Sequence, residues 1–242
     1  MAIIKTVVVF AFTGIFMILL FPFALVAFLL GFIGMKEPMS LFIYKLAQLW
    51  ARVIIFFTGC HLTVIGRENI PHTGHLCFVS NHDSIFDIML MLAFADRPFG
   101  FIAKKELAWI PFIDLWILFL GGLFIDRVNP RKALKTISIG INRIKAGGSM
   151  IIFPEGTRSR GRGLLPFRPG SIKLATQSEA TIIPVALSGT YNVFEKEYRV
   201  QAFPVRVQFG EPIATAGIPV PERRQVLINR IQNVIAGMLS PP

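Results

Sequence analysis

Cysteine is scarce in this chain of 242 residues, which contains only Cys60 and Cys77. Both lie in or beside apolar runs without CxxC spacing, so we expect buried thiols in a reducing compartment and no disulfide framework. His61, His72 and His75 lie nearby, but their spacing matches no zinc motif, and a loop or strand-edge role is expected for them. We therefore expect neither a bound metal nor a cofactor.

Acidic residues are also few, because 14 Asp and Glu face 25 Lys and Arg, giving a formal net charge of +11. Hydrophobic residues nevertheless make up 53% of the chain. A chain that is both basic and apolar suits a membrane surface with anionic lipid or phosphate partners. Nucleic acid is the competing partner of a basic chain. The cations are not gathered on a recognition helix or an aromatic-rich sheet, so we expect no nucleic acid.

Three common site motifs are missing as well. The sequence has no GxxxxGK[ST], no GxSxG and no GxGxxG after a predicted strand. These absences exclude a nucleotide P-loop, the nucleophile elbow of serine hydrolases and a dinucleotide-binding fingerprint.

The N-terminal region contains a long run without charge, from residue 6 to residue 35. A membrane-spanning helix needs only about 20 apolar residues. Pro22 near the middle of the run predicts a kink or a break. The segment is therefore expected either to cross the bilayer, which we favour, or to bend into one leaflet. Lys5 and Lys36 flank it on both sides and do not set its orientation.

A break at residues 37–40 precedes a second predicted helix at 41–57. Lys45, Gln48 and Arg52 share one face of that helix. This pattern predicts an interfacial helix that directs its two cations toward lipid phosphate. The alternative is a core helix packed under the domain that follows.

From residue 59 onward the sequence alternates between short apolar runs and helical patterns. Strands are predicted at 61–65, 76–79, 100–103, 122–125, 150–153, 182–187 and 205–209. Helices are predicted at 85–94, 131–145, 171–177 and 222–238. The alternation predicts an α/β domain with a mixed sheet flanked by helices, at residues 59–242, after a pair of membrane-anchoring helices at residues 1–58.

The most informative pair is His82 and Asp87, which follow the apolar run 76–79. An imidazole oriented by a carboxylate can act as a general base near neutral pH. The simpler interpretation is a histidine satisfied by a helix-capping carboxylate of Asp83 or Asp87. No serine or cysteine nucleophile in a recognisable setting lies beside the pair. The pattern therefore favours a base that acts on a substrate hydroxyl over a covalent enzyme.

A second motif, residues 153–159, emerges from another predicted strand. The planar guanidinium of Arg158 suits a phosphate group, and Gly156 permits close approach of the backbone to a ligand. The alternative is a solvated turn with ordinary surface arginines. A strand that runs into Pro-Glu-Gly-Thr-Arg is less common than an ordinary run of surface charges. We therefore favour a phosphate site.

Two weaker candidates end other apolar runs. Arg127 follows residues 121–125, where a plain Asp126–Arg127 turn is the alternative. Lys104 is within reach of a phosphate or is simply solvated at a strand end. The apolar run 182–187 carries no catalytic group and is expected to shape a wall.

These blocks stand in the order of the four blocks of glycerolipid acyltransferases: His82 with Asp87, then 124–127, 153–158 and 183–185. The chain most closely resembles the 1-acyl-sn-glycerol-3-phosphate acyltransferases, also called lysophosphatidic acid acyltransferases. The resemblance implies acyl transfer from acyl-coenzyme A or acyl-carrier protein to the sn-2 hydroxyl of lysophosphatidic acid, giving phosphatidic acid in phospholipid biosynthesis. It also implies a membrane enzyme whose active site faces the cytosol.

Within this resemblance His82 would be the base and Asp87 would hold its tautomer. The acceptor phosphate would be bound by Lys104, Arg127, Glu155, Gly156, Thr157 and Arg158. Ser84 or Asp83 would cap the helix that follows, and free N–H groups at its start would stabilise the oxyanion. Two alternatives stay open: an acyltransferase for glycerol 3-phosphate or another lysophospholipid, and a non-catalytic protein that binds anionic lipid.

Overall fold

The computed structural model describes residues 2–168, 170–215 and 221–240. Its strands are β1 (His61–Ile65), β2 (Leu76–Ser80), β3 (Gly100–Lys104), β4 (Leu123–Ile125), β5 (Ser149–Ile152), β6 (Thr181–Ser188) and β7 (Pro204–Phe209). Its α-helices are α1 (Ala2–Leu30), α2 (Lys36–Thr58), α3 (Phe86–Phe94), α4 (Ile113–Phe119), α5 (Pro130–Lys145), α6 (Lys173–Ser178), α7 (Thr190–Val193) and α8 (Pro221–Leu239).

Within the described residues, seven strands form one sheet in the order β1-β7-β6-β2-β5-β3-β4. Strands β6, β2, β5, β3 and β4 are parallel to one another. Strand β7 is antiparallel to β6, and β1 pairs with β7 in parallel. The predicted mixed sheet flanked by helices is confirmed. The carboxyl ends of β2, β3, β4, β5 and β6 share one edge, which is where α/β sheets place their sites.

The sheet is covered on both faces, so its central strand β2 is buried throughout. Cys77 and Phe78 are adjacent in β2, fully buried, and belong to different core clusters. Successive side chains of a strand point to opposite faces. The Phe78 cluster includes residues of α1, α2, α3 and α4, and the Cys77 cluster includes residues of α5, α6 and α8. Neither cysteine is in a disulfide, and burial raises the pKa of the Cys77 thiol.

The N-terminal helices depart from the prediction at two prolines. Helix α1 runs through Pro22 without a break and ends at Leu30. The packing of the neighbouring Phe21 against Phe119 holds the helix where the proline removes a backbone hydrogen bond. The chain turns instead at residues 31–35, and Pro38 lies in the first turn of α2, where its missing N–H leaves no hydrogen bond unmade.

The polar face of α2 packs against the α/β domain. Gln48 and Arg52 both donate to the Ala93 carbonyl, at 3.2 and 3.0 Å, and the Tyr44 hydroxyl donates to the Leu92 carbonyl. The prediction that this face directs cations toward lipid phosphate is therefore wrong for Arg52. The alternative of a core helix describes this face, because its hydrogen bonds hold α3.

Both N-terminal helices are long and apolar enough to cross a membrane, by length and composition alone. They differ in burial. In the most apolar segment of each helix, 17% of the residues are buried in the first helix and 44% in α2. Helix α1 is thus the outer layer of the pair. It contacts the body near both ends, where Thr6 accepts from the Val200 N–H at 2.8 Å and Phe28 packs 4.8 Å from Phe119.

Candidate active site

Two motifs that are far apart in the sequence meet at the carboxyl ends of β2 and β5. The Ser159 N–H donates to the His82 carbonyl at 2.7 Å. The Asp83 carboxylate accepts from the Ser159 hydroxyl and from the Gly161 N–H, both at 2.7 Å. These bonds tie the loop after β5 to the segment that carries His82.

His82 and Asp87 form the pair that the spacing indicates. The distance from His82 Nδ1 to Asp87 Oδ2 is 2.7 Å, and the same oxygen accepts from the N–H groups of Asp83 and Ser84. Because a carboxylate oxygen surrounded by donors is an acceptor, Nδ1 carries the hydrogen and Nε2 keeps a free lone pair. Asp87 is fully buried, whereas the His82 side chain is 19% exposed and accessible to a substrate.

The loop after β5 also fixes the orientation of the imidazole. The Phe153 ring stacks on the His82 ring, with centroids 4.0 Å apart and planes 21° from parallel. One edge of the imidazole is thus held by Asp87 and one face by Phe153. Its remaining nitrogen, Nε2, is the atom left to act on a ligand.

The segment that leads into α3 offers no free donor. Ser84 Oγ accepts from the Phe86 N–H at 3.1 Å, but the N-cap residue is Ile85 and makes no side-chain capping bond, so the expected capping by Ser84 or Asp83 is replaced by a contact one residue earlier. Asp83 instead bonds to the loop after β5. Every backbone N–H from residue 82 to residue 87 donates to an acceptor within the protein. The expectation that N–H groups at this helix start stabilise an oxyanion is therefore wrong, since none is unpaired.

The Glu155 carboxylate supports the histidine segment. Its Oε1 accepts from the His82 N–H at 2.8 Å and its Oε2 from the Leu165 N–H at 3.3 Å. The residue is 3% exposed, and this burial raises the pKa of Glu155 to about 7, although both N–H donors act in the opposite direction. A buried carboxylate that faces two backbone donors is not placed to bind a phosphate. The predicted phosphate contact of Glu155 does not fit this arrangement.

Arg158 lies in the same loop and is held by an acid from a distant part of the sequence. Its guanidinium forms an ion pair with Glu195. The other oxygen of Glu195 accepts from the Ile85 N–H, one residue before α3, at 3.2 Å. Glu195 follows α7, beyond the carboxyl end of β6, and no motif marks it. Only the sheet order brings it beside Arg158.

Gly156 adopts a backbone conformation that favours glycine, with φ +70°. The Arg168 side chain lies over Gly156, where its Nε donates to the carbonyl of the preceding residue, Glu155, at 3.2 Å. A Cβ atom on residue 156 would lie 2.6 Å from that nitrogen. Thr157 is exposed at the tip of the turn. The loop therefore presents its backbone and Arg168 to the solvent side of the site.

Arg127, after β4, approaches this loop. Partial burial and then repulsion by the Arg168 guanidinium lower the pKa of Arg127, and Glu106 opposes this effect. Two guanidinium groups that repel each other make a region attractive to an anion. No motif in the sequence marks Arg168, and the structure adds it to the candidate anion-binding residues.

Lys104 is exposed at the end of β3. The neighbouring Lys105 forms an ion pair with Asp126 at 3.0 Å, which joins the ends of β3 and β4. Lys104 thus lies at the same edge of the sheet as His82.

A family model for acyltransferases matches residues 61–188, which is more than half of the chain and includes all four motif blocks. The chain belongs to the acyltransferase family. The match begins at β1 and ends with β6, so it covers the strands that carry His82, Arg127 and Arg158.

Curated relatives named 1-acyl-sn-glycerol-3-phosphate acyltransferase occur in plants and bacteria. The protein from Cocos nucifera is 35% identical over 166 residues, covering 68% of this chain and 53% of that protein. The protein from Salmonella typhimurium is 41% identical over 120 residues, covering 49% of each. The alignments therefore span about half the length of these relatives.

A solved structure extends the likeness to the whole chain. The crystal structure of the 1-acyl-sn-glycerophosphate acyltransferase PlsC from Thermotoga maritima superimposes with a TM-score of 0.85 at 25% sequence identity. The superposition covers 100% of this chain and 97% of that protein. It includes the two apolar N-terminal helices.

Proposed function

We propose that this protein transfers a fatty acyl group from an acyl thioester to the sn-2 hydroxyl of 1-acyl-sn-glycerol 3-phosphate, giving phosphatidic acid. The observation that carries the proposal is the His82–Asp87 pair, whose Nδ1 and Oδ2 are 2.7 Å apart. The His82 backbone is also hydrogen-bonded to the loop after β5 that carries Arg158. Membership of the acyltransferase family and the names of the relatives support the choice of reaction and acceptor.

The proposed chemistry uses His82 as a general base. A hydroxyl is a weak acid, so its attack on a thioester benefits from a base that removes the proton as the new C–O bond forms. Nε2 takes that proton, and the Asp87 carboxylate stabilises the imidazolium. When the tetrahedral intermediate collapses, the C–S bond breaks and the imidazolium returns the proton to the thiolate. The acceptor oxygen takes the place of a serine nucleophile, so no acyl-enzyme forms.

The acceptor phosphate is assigned to the basic residues around the loop after β5. Arg158 offers N–H donors beyond the one that faces Glu195, and guanidinium groups bind phosphate through several N–H groups at once. Arg127, Lys104 and Arg168 supply further positive charge from the same edge of the sheet. Gly156 and Thr157 form the turn on which the phosphate rests. We assign Glu155 to positioning of His82, not to the phosphate.

The donor is proposed to be acyl-coenzyme A or acyl-carrier protein, and the scheme needs no metal or cofactor. These donors are water-soluble and cytosolic, whereas the acceptor and the product are lipids. We therefore place the site at the cytosolic face of a membrane, the inner membrane if the protein is bacterial.

The packing of α1 favours one leaflet over a full crossing of the bilayer. The helix contacts the body from Thr6 to Phe28, which at 1.5 Å per residue spans about 33 Å. The hydrocarbon core is about 30 Å thick. A helix attached to a folded body over such a length does not cross the core unless the body does so too. We infer that α1 lies in the cytosolic leaflet, with the strand ends near the lipid surface.

The deciding experiment incubates purified protein with acyl-coenzyme A or acyl-carrier protein and several acceptors, and follows thiol release together with lipid products. Release that depends on 1-acyl-sn-glycerol 3-phosphate and yields phosphatidic acid supports the proposal. Faster release with glycerol 3-phosphate or another lysophospholipid would assign a different acceptor. Absence of acceptor-dependent release with both donors would leave a lipid-binding protein and contradict the assignment.

A further inference from the structure

Residues 105–112, here called the Trp109 loop, expose an apolar cluster. The loop follows β3 with a 3-10 turn at Lys105–Trp109 and leads into α4. Trp109 is 86% exposed, and Ile110 and Phe112 are exposed beside it. Single apolar side chains are ordinary on a protein surface, but a cluster that includes tryptophan marks an interaction surface.

The cluster lies at the edge of the sheet that carries the candidate active site. The ion pair of Lys105 with Asp126 fixes the loop to the end of β4. Asp126 also accepts from the N–H of Val128, whose side chain is 84% exposed. The loop and Val128 therefore follow β3 and β4 on the side where His82 follows β2.

The cluster is continuous with the exposed surface of α1. The Phe112 ring meets the Phe21 ring edge-on, with centroids 5.2 Å apart. Around Phe21, α1 exposes a band of large apolar side chains: Ile15, Ile18, Leu19, Phe23, Leu25, Val26 and Leu29. Phe112 has φ +66°, a conformation that is uncommon for a bulky residue. The backbone thus holds an uncommon conformation at the residue where the loop packs against α1 and leads into α4.

Exposed cations lie at the same edge of the sheet as the cluster. Lys104, Arg127, Arg131 and Lys132 are exposed at the ends of β3 and β4 and the start of α5. The exposed Glu106 opposes them, whereas Asp126 is already paired with Lys105. Tryptophan flanked by apolar residues and cations is typical of segments that insert at the interface of an anionic bilayer.

We propose that the Trp109 loop and Val128 insert into the headgroup boundary of an anionic lipid bilayer, as a second membrane contact besides α1 and α2. This contact holds the strand ends against the surface from which a lipid acceptor enters. The consequence for catalysis rests on the proposed function, whereas the insertion itself does not.

Fluorescence quenching tests the insertion directly. The full chain is reconstituted into phosphatidylglycerol vesicles that contain brominated lipid, as wild type and as Trp109→Phe. We expect the emission lost in Trp109→Phe to be the emission that brominated lipid quenches and that aqueous iodide does not. Quenching of that emission by iodide alone would overturn the proposal. Shielding from both quenchers, together with a dimer in detergent, would assign the surface to a second copy of the chain and also overturn it.

Activity provides the second test, with a matched control. Trp109→Glu places a charge on the loop, and Val226→Glu does so on α8, where Val226 is 68% exposed on the other side of the sheet. Burial of a large apolar side chain predicts about a tenfold loss for Trp109→Glu on bilayer-bound acceptor. We expect no loss on a short-chain acceptor in solution, and none for Val226→Glu on either. Equal activity of both variants on vesicles would contradict the proposal, whereas wild-type protein without thiol release on any acceptor would contradict only the proposed function.

Discussion

Glu195 forms an ion pair with Arg158 through one carboxylate oxygen and accepts from the Ile85 N–H through the other. The two exposed fractions, 11% for Glu195 and 28% for Arg158, place the pair at the margin of the site, where solvent screens it only in part. One acid therefore orients the proposed phosphate-binding guanidinium and also satisfies a backbone donor at the positive end of α3.

Replacing Glu195 by alanine is expected to raise the KM for the acceptor about tenfold with little change in kcat. The physical reason is that Arg158 loses the charge-assisted hydrogen bond that holds it in place. Steady-state kinetics with varied 1-acyl-sn-glycerol 3-phosphate measure the effect. Glu197→Ala is the matched control, because Glu197 is exposed. A lower KM in Glu195→Ala would show that the acid competes with the phosphate and does not position its ligand.

The pair of His82 and Asp87 gives the largest expected effects on activity. His82→Ala removes the base and is expected to lower kcat by about 10²- to 10⁴-fold. Asp87→Asn keeps an oxygen for the N–H groups of Asp83 and Ser84 but cannot stabilise the imidazolium, so a loss in the same range is expected. Single-turnover thiol release measures both variants. Near-normal rates with intact folding would contradict the role of His82 as the general base.

Glu155 makes stability depend on pH in a definite direction. Burial raises the pKa of Glu155 to about 7 from an ordinary value of 4.5, so the folded protein holds this proton while the unfolded chain releases it. The free energy of unfolding should therefore fall as pH rises from 4.5 to 7, by on the order of 3 kcal/mol from this group. Above pH 7 both states are ionised and the effect stays constant.

Glu155→Gln should remove that slope while its amide oxygen still accepts from the His82 N–H. Urea unfolding of both proteins at several pH values measures the difference, and other titrating groups cancel in the comparison. Parallel stability curves would show that Glu155 does not titrate in this window. Glu155→Ala removes the acceptor itself and should also lower kcat, because the His82 backbone loses its support.

Alanine substitutions at Gly156 and Gly163 distinguish the effect of backbone conformation from the effect of a contact with the new Cβ atom. Both have positive φ, but a Cβ atom at 163 meets nothing within 4 Å, whereas one at 156 meets Arg168. Gly163→Ala is expected to cost about 1 kcal/mol of stability from conformation alone. Gly156→Ala should cost more and also weaken acceptor binding, because Arg168 must move. Equal unfolding free energies and equal KM values for the two variants would contradict this role of Arg168.

The sequence predicted the strands and the His82–Asp87 pair, but it did not predict the residues that hold the site in position. Apolar runs bounded by turns identified all seven strands of the described sheet, and the spacing of His82 and Asp87 predicted a pair that the structure places 2.7 Å apart. Glu195 was missed because its role arises from sheet order, which places the end of β6 beside β2. The role of Glu155 was misjudged because burial against the His82 N–H comes from a tertiary contact that local patterns do not encode.

Truncation distinguishes the roles of α1 and α2. The sequence grouped residues 1–58 as one anchoring unit, but Tyr44, Ala47 and Ala51 are buried at 2% exposure or less, and α2 bonds to α3, whose first turn carries Asp87. Deleting residues 2–35 should leave a chain that unfolds cooperatively in detergent but binds vesicles weakly. Deleting residues 2–58 should abolish cooperative unfolding, because it exposes the apolar face of α3. Circular dichroism melts and vesicle flotation measure the two properties. A stable, soluble 59–242 fragment would show that α2 is an anchor alone and that the α/β domain folds without it.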